Sequence, residues 1–336
     1  MGKSPLVRKL YHDRLELHRL DSDDAIADFK NEVARGLSAT PKRIPPKFFY
    51  DERGSELFEQ ITKTEEYYPT RTETWILDRY NRDIIQASGQ HPTLVEFGSG
   101  SSAKTRLLLD ILAESSEELV YIPIDISPSI VHEHSQKLLE DYANLNIRGL
   151  ICDYQHALDE LSRHTQSPKL FLFLGSTIGN FEPDQASEFL AAVQAAMGAQ
   201  DHLLLGVDLV KAPAILNRAY NDAGGVTAAF NLNLLARINR ELGGRFDLNR
   251  FRHRAFFNEV ESRIEMHLES LGDQKIEIEA LGSEFSFAGG ETIHTENSYK
   301  YNYLSLERVI REAGLRIRHV WHDPEQWFAL NLLAPA

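Results

Sequence analysis

Gly98 and Gly100 follow an apolar run, Leu94 to Phe97, and a second apolar run, Leu119 to Ile124, ends in Asp125. Glycines so placed let a chain turn sharply off a strand and leave no Cβ where a ligand must approach. A helix opening at Ala103 would aim its amino end at that ligand. Asp125, at the end of the next strand, is placed to accept hydrogen bonds from two ribose hydroxyls. A third run, Ile147 to Cys152, ends in Asp153, which can read an adenine amino group. The chemistry is nucleoside binding.

Gly98, Gly100 and Ala103 also fit the dinucleotide fingerprint of dehydrogenases. Glu96 argues otherwise, because a pyrophosphate favours the positive end of a helix and no nearby anion. A carboxylate two residues before Gly98 suits a cationic ligand, such as the sulfonium and amino group of S-adenosylmethionine. Each acid alone is equally a solvated strand end. Three on successive strands favour the ligand.

The elements that must position these groups follow from periodicity. Apolar runs at Leu94–Phe97, Leu119–Ile124, Ile147–Cys152, Leu170–Leu174 and His202–Val207 alternate with helix-compatible segments, the pattern of a parallel sheet covered on both faces. Their carboxyl ends would gather the glycine loop, Asp125, Asp153 and Gly179–Asn180. Leu315–Trp321 and Gln326–Leu333 flank Asp323 and Pro324 and predict a closing antiparallel hairpin. Residues 1–90 look largely helical, interrupted at Pro41–Pro46. Alternation at Ile264, Met266, Leu268 and again at Ile276, Ile278, Ala280 predicts two inserted antiparallel strands. The expected division is a cap of residues 1–90 and 210–301 over a core of residues 91–209 and 302–336.

Composition excludes several classes. The chain has 336 residues, a net charge of −14, 42% hydrophobic and 26% charged residues, which is soluble-globular usage without a membrane-spanning run. That charge argues against a nucleic-acid surface, which needs clustered Lys and Arg. Met1–Leu20 mixes charges and shows no secretory core. The single cysteine, Cys152, cannot form an internal disulfide and reads as core filler, compatible with a cytoplasmic protein. His132 and His134, two apart in a helix, make poor co-ligands, and no metal motif is present. Gly224 and Gly225 lack the Lys and Ser or Thr of a phosphate loop and suit a hinge or tight turn.

Six segments carry a resemblance: PPKFFYDERGSELFEQITKTEEYYPTRTE at Pro45–Glu73, FGSGSSAKTR at Phe97–Arg106, FLGSTIGNF at Phe173–Phe181, AYNDAGGVTAAFN at Ala219–Asn231, RIEMHL at Arg263–Leu268 and HTENSYKY at His294–Tyr301. In this order they resemble the L-histidine Nα-methyltransferases of ergothioneine biosynthesis. The resemblance implies the class I methyltransferase fold: an α/β, Rossmann-like seven-stranded sheet with a smaller α+β substrate domain. It implies trimethylation of histidine's α-amino group to hercynine, with S-adenosylmethionine as methyl donor. Carried over, Gly98, Ser99, Gly100, Lys104, Asp125 and Asp153 would hold the cofactor, with Tyr50 near its junction with the substrate. Asn180 and Tyr220 would orient the amino and carboxylate groups. Tyr67, Glu296 and Ser298 would read the imidazole, with Met266 and Phe58 as apolar wall. Tyr50, Tyr67 and Asn180 would serve catalysis, and a monomer acting on L-histidine is expected.

Glu296 and Ser298 support this independently. Two apart in an extended segment, they share a face and can address the two nitrogens of one imidazole. An indole would leave the carboxylate poorly matched and exceed the space beside Met266. Tyrosine faces at 50, 67 and 220 suit a methylated ammonium that has lost its N–H donors, although any one tyrosine is more often core with a wet tip. The amine must react neutral, its proton leaving through Tyr50 or Tyr67 and a water, or to solvent before closure. The rivals are a methyltransferase for tryptophan or another aromatic amino acid, a dinucleotide oxidoreductase, and a noncatalytic binding module.

Overall fold

The computed structural model describes residues 7–10, 13–20, 25–89, 91–100, 102–162 and 168–336. Ser101 of the glycine loop, and residues 1–6 and 11–12 of the segment read for a leader, lie outside the described residues. The strands are β1 (Val7–Leu10), β2 (Leu15–Arg19), β3 (Lys42–Arg43), β4 (Thr93–Phe97), β5 (Leu119–Asp125), β6 (Leu145–Ile151), β7 (Lys169–Phe173), β8 (His202–Asp208), β9 (Phe251–Asn258), β10 (Arg263–Ser270), β11 (Gln274–Ile278), β12 (Ser283–Phe287), β13 (Thr292–Tyr299), β14 (Leu315–His322) and β15 (Phe328–Pro335). The helices are α1 (Ala25–Ser38), α2 (Glu52–Ile61), α3 (Tyr68–Ser88), α4 (Ala103–Ala113), α5 (Pro128–Asp141), α6 (Tyr154–Leu161), α7 (Pro183–Ala195), α8 (Pro213–Ala219), α9 (Val226–Leu242) and α10 (Tyr303–Glu312). No described helix is long and apolar enough to cross a membrane.

Two units divide these elements. The first lies within Met1–Asp21, Thr72–Leu209 and Tyr301–Ala336. Its sheet runs β1, β2, β6, β5, β4, β7, β8, β15, β14. From β2 through β8 the neighbours are parallel, while β15 is antiparallel to both β8 and β14. β4, β7 and β8 read as unbroken apolar runs because helices cover both faces of a parallel sheet. Each fully buried leucine there, Leu94, Leu170 and Leu204 among them, contributes roughly 1.5–3 kcal/mol. The strand order reverses between β4 and β7, so the crevice for a ligand lies beyond the carboxyl ends of β4 and its neighbours.

The sheet has nine strands rather than seven. The seven expected strands form its body, and the β1–β2 hairpin adds two at the β6 edge. The amino-terminal region is therefore not wholly helical. Its β2 pattern, Leu15 and Leu17 buried, is too short to show a period among charged neighbours.

The second unit lies within Ser22–Arg71 and Val210–Lys300, so the division runs through α3 rather than at residue 90. Its four-stranded sheet runs β3, β13, β10, β9 and packs with α9, whose buried side includes Phe230, Leu234 and Ile238. β11 pairs with β12 in a separate hairpin. The Ile276–Ala280 run is thus not a partner of Ile264–Leu268: β10 lies between β9 and β13, and Ala280 belongs to a short 3-10 turn.

Candidate active site

In the first unit the glycine loop is held by the sheet it leaves. The Gly98 and Ser99 amides both donate to the Ile124 carbonyl, at 2.8 and 3.3 Å. Gly98 has φ +70°, which favours glycine, and a Cβ there would lie a tight 3.0 Å from the Tyr154 hydroxyl. Asp125 turns back to the loop, accepting from the Gly100 amide at 3.4 Å and the Ser127 amide at 3.0 Å. Burial raises its pKa, against these amide hydrogen bonds. Two backbone donors leave carboxylate lone pairs for further hydroxyls. Asp153 caps α6 through the His156 amide at 2.9 Å and remains exposed. Gly98, Asp125 and Asp153 thus follow β4, β5 and β6, three adjacent strands, an arrangement that fits a nucleoside ligand.

Glu96 departs from expectation. It is buried, accepting from Thr105 Oγ1 at 2.6 Å and from the Tyr121 hydroxyl, and burial pushes its pKa up to about 7. It braces α4 against the sheet and is not an open anion beside the loop. Lys104 donates to Glu73 at 2.5 Å. Glu73, fully buried, also accepts from the Gly175 amide at 2.9 Å, and a Cβ on Gly206 would collide with its carboxylate. Asn180 ends the 3-10 turn Thr177–Asn180 after β7, half-buried.

Two groups were missed from sequence. Glu73 closes one quoted segment, but nothing in its neighbours signals burial. His134, set aside as a metal ligand, donates from Nδ1 to the Gly100 carbonyl at 2.5 Å and so pins the loop from α5.

In the second unit an aromatic row gathers most expected substrate residues. Tyr50 meets Phe58 at 5.8 Å between ring centroids, Phe58 meets Tyr67 at 6.3 Å, and Tyr67 meets Tyr220 at 6.2 Å. All three contacts are edge-on. Tyr50 follows the Pro46–Phe49 turn, and Asp51 caps α2, which carries Phe58. The Tyr220 hydroxyl donates to Ser298 Oγ at 2.8 Å. The Asp222 carboxylate accepts from the amides of Val226 and Thr227, so Gly224 and Gly225 form the tight turn into α9.

A bulge sets the face that β13 presents. His294 pairs with His267, but Met266 pairs with Glu296, leaving Thr295 as the extra residue. Glu296 and Ser298 thereby stand opposite Met266 and Ile264, on the apolar side. The Thr295 hydroxyl fixes the bulge, reaching Asn231 Oδ1 at 2.8 Å and the Met266 carbonyl at 3.0 Å. Glu296 is 9% exposed and its carboxylate has no hydrogen-bond donor among the described residues. Burial raises its pKa to about 7, with Lys300 pulling the other way. Such a carboxylate calls for a donor from a ligand.

On the opposite face, one ligand atom each of Glu265, His267 and His294 lie within 4.8 Å of one another. The two imidazoles stack at 4.7 Å with planes 19° apart, so their in-plane lone pairs run side by side and do not converge on an ion.

A doubly wound sheet with reversed last strand, a glycine loop and acids on three strand ends defines a nucleoside-binding α/β enzyme of the class I methyltransferase type. Residues 29–335 match the family model described as histidine-specific methyltransferase, SAM-dependent. The chain is 44% identical over 313 residues to the histidine N-alpha-methyltransferase of Mycolicibacterium smegmatis, covering 93% of this chain and 97% of that one. It is 42% identical over 317 residues to the Mycobacterium tuberculosis enzyme of the same name, covering 94% and 98%. Ergothioneine biosynthesis protein 1 of Neurospora crassa is 30% identical over 310 residues, 88% of this chain and 33% of its own length. The chain belongs to the family of histidine-specific, S-adenosylmethionine-dependent methyltransferases. The oxidoreductase reading falls.

Proposed function

We propose that this chain transfers three methyl groups from S-adenosylmethionine to the α-amino nitrogen of L-histidine, giving hercynine for ergothioneine synthesis. One observation carries the choice of amino acid: the buried Glu296 carboxylate, without a donor of its own, stands on one face with Ser298 and Met266. An imidazole supplies an N–H to the carboxylate and a second nitrogen to the hydroxyl. An indole has no second ring nitrogen, which disfavours tryptophan.

The bound sulfonium supplies an electrophilic methyl group. On the first unit, Gly98, Ser99 and Gly100 shape the turn against which it rests, Asp125 accepts from the ribose, and the exposed Asp153 oxygen reads the adenine amino group. Lys104 supports this site through Glu73, and Asn180 offers an amide beyond β7. On the second unit, Tyr220 helps to orient the amino acid's amino and carboxylate groups, while Tyr67 and Phe58 flank the ring. The amine reacts as the free base, its proton passing to water by way of Tyr50 or Tyr67 or lost beforehand. As methyls accumulate, N–H donors disappear and the Tyr50 and Tyr67 rings stabilise the cation with their faces. The reading makes the protein a cytoplasmic monomer with a small-molecule substrate and no nucleic-acid partner.

Mass spectrometry of histidine incubated with the protein and S-adenosylmethionine tests it. Successive additions of one, two and three methyl groups, placed on the α-nitrogen by fragmentation, are expected. Methylation of tryptophan in preference to histidine, or binding of neither S-adenosylmethionine nor S-adenosylhomocysteine, would defeat it.

A further inference from the structure

Lys300 lies beside Ser298 and Tyr220 and was given no role by spacing or resemblance. It is 3% exposed. Its Nζ donates to Ser298 Oγ at 2.7 Å and to the Tyr220 hydroxyl oxygen at 3.1 Å, and it lies 5.0 Å from the Tyr220 ring centroid. An ammonium has only donors. Ser298 Oγ, receiving hydrogen bonds from both Lys300 and Tyr220, has its two lone pairs filled, and its own hydrogen must point elsewhere.

We infer that Lys300 is a positioning residue: together with Tyr220 it fills both acceptor sites of Ser298 Oγ and so turns the Ser298 hydroxyl into a donor toward the amino acid, and the pocket takes a neutral imidazole with N–H toward Glu296 and lone pair toward Ser298. This rests on the histidine reading above and goes beyond it by assigning hydrogen-bond polarity. An imidazolium, with hydrogen on both nitrogens, would meet Ser298 donor to donor.

The test compares histidine with the pyrrol-2-yl and pyrrol-3-yl isomers of alanine, which keep a ring N–H and lack the lone-pair nitrogen. Turnover is measured for the wild type, Lys300→Met, Ser298→Ala and the double variant, with S-adenosylhomocysteine binding as the folding control. In the wild type the better pyrrole should show a KM at least ~10-fold above that of histidine, the loss of one hydrogen bond that leaves the buried Ser298 hydroxyl without an acceptor. In Lys300→Met the histidine KM should rise roughly 10- to 100-fold with kcat changed much less, and the preference over pyrrole should fall toward one, because Ser298 can then turn its hydrogen away. Ser298→Ala should add little to Lys300→Met, since both remove the same donor. An unchanged histidine KM in Lys300→Met, or losses that multiply in the double variant, would overturn the inference. Should Lys300→Met fail to fold, a wild-type ratio near one, or a ratio undiminished in Ser298→Ala, overturns it as well. If the wild type methylates no histidine, the acceptor reading has failed, which is a separate result from any of these.

Discussion

Two buried glutamates, both raised to about 7 by burial, have opposite fates. Glu96 is satisfied inside the fold by Thr105 and Tyr121, whereas Glu296 finds no donor. The sequence separates them poorly: Glu96, two residues from Gly98, reads as a ligand group because neither Thr105 nor Tyr121 is visibly its neighbour. Glu296 was read from Ser298 two residues on, and the structure keeps the two on one face of β13. Because Glu96 rises from 4.5 to about 7, the native state binds the extra proton across that window, and its contribution to stability falls as pH rises through it. Glu96→Gln does not titrate, so its unfolding midpoint should improve relative to the wild type between about pH 5 and about pH 8, as denaturant titrations would show. A constant difference would mean that Glu96 does not hold its proton. For Gly98→Ala, the φ of +70° and the Tyr154 hydroxyl act together, and S-adenosylhomocysteine affinity by calorimetry should drop at least ~10-fold.

Among elements, long apolar runs declared themselves: β4 through β8 and the β14–β15 hairpin lie within a residue or two of where periodicity put them. Pairing did not, since alternation reveals a face and never a partner; β11 therefore found β12 instead of β10. The joint of α3, α4 and the turn after β7 was equally silent. Glu73 holds all three together, with Lys104 on one side and the Gly175 amide on the other. Glu73→Ala strands a partly buried ammonium and a backbone donor, so it should cost about 2–4 kcal/mol and lower the thermal midpoint of the first unit. Retained stability would show that Lys104 finds an equivalent partner.

For the molecule as a whole, composition excluded nucleic acid and membrane spans as expectations, and the quoted motifs, spread from Pro45 to Tyr301, carried the family across nearly the full chain. What composition could not convey is that the chain divides into two compact units, to which the proposed function assigns different ligands. Hydrogen exchange should divide accordingly. S-adenosylhomocysteine should slow amide exchange first in β4, β5 and the start of α4, and histidine first in β10 and β13, because each ligand adds its binding free energy to the unit that holds it. Protection by S-adenosylhomocysteine concentrated in β10 and β13 would contradict the assignment of ligands to units.

The extra residue in β13 has a consequence for how this chain avoids folding wrongly. Were the strand to keep the His294–His267 pairing and run on along β10 without the irregularity at Thr295, Glu296 would come to rest opposite Glu265 in place of Met266. Two carboxylates would then face each other across a ladder, a pairing that repels. The mis-threaded pairing carries its own electrostatic veto, so the acid proposed to choose the amino acid also favours the correct alignment of the strand that bears it.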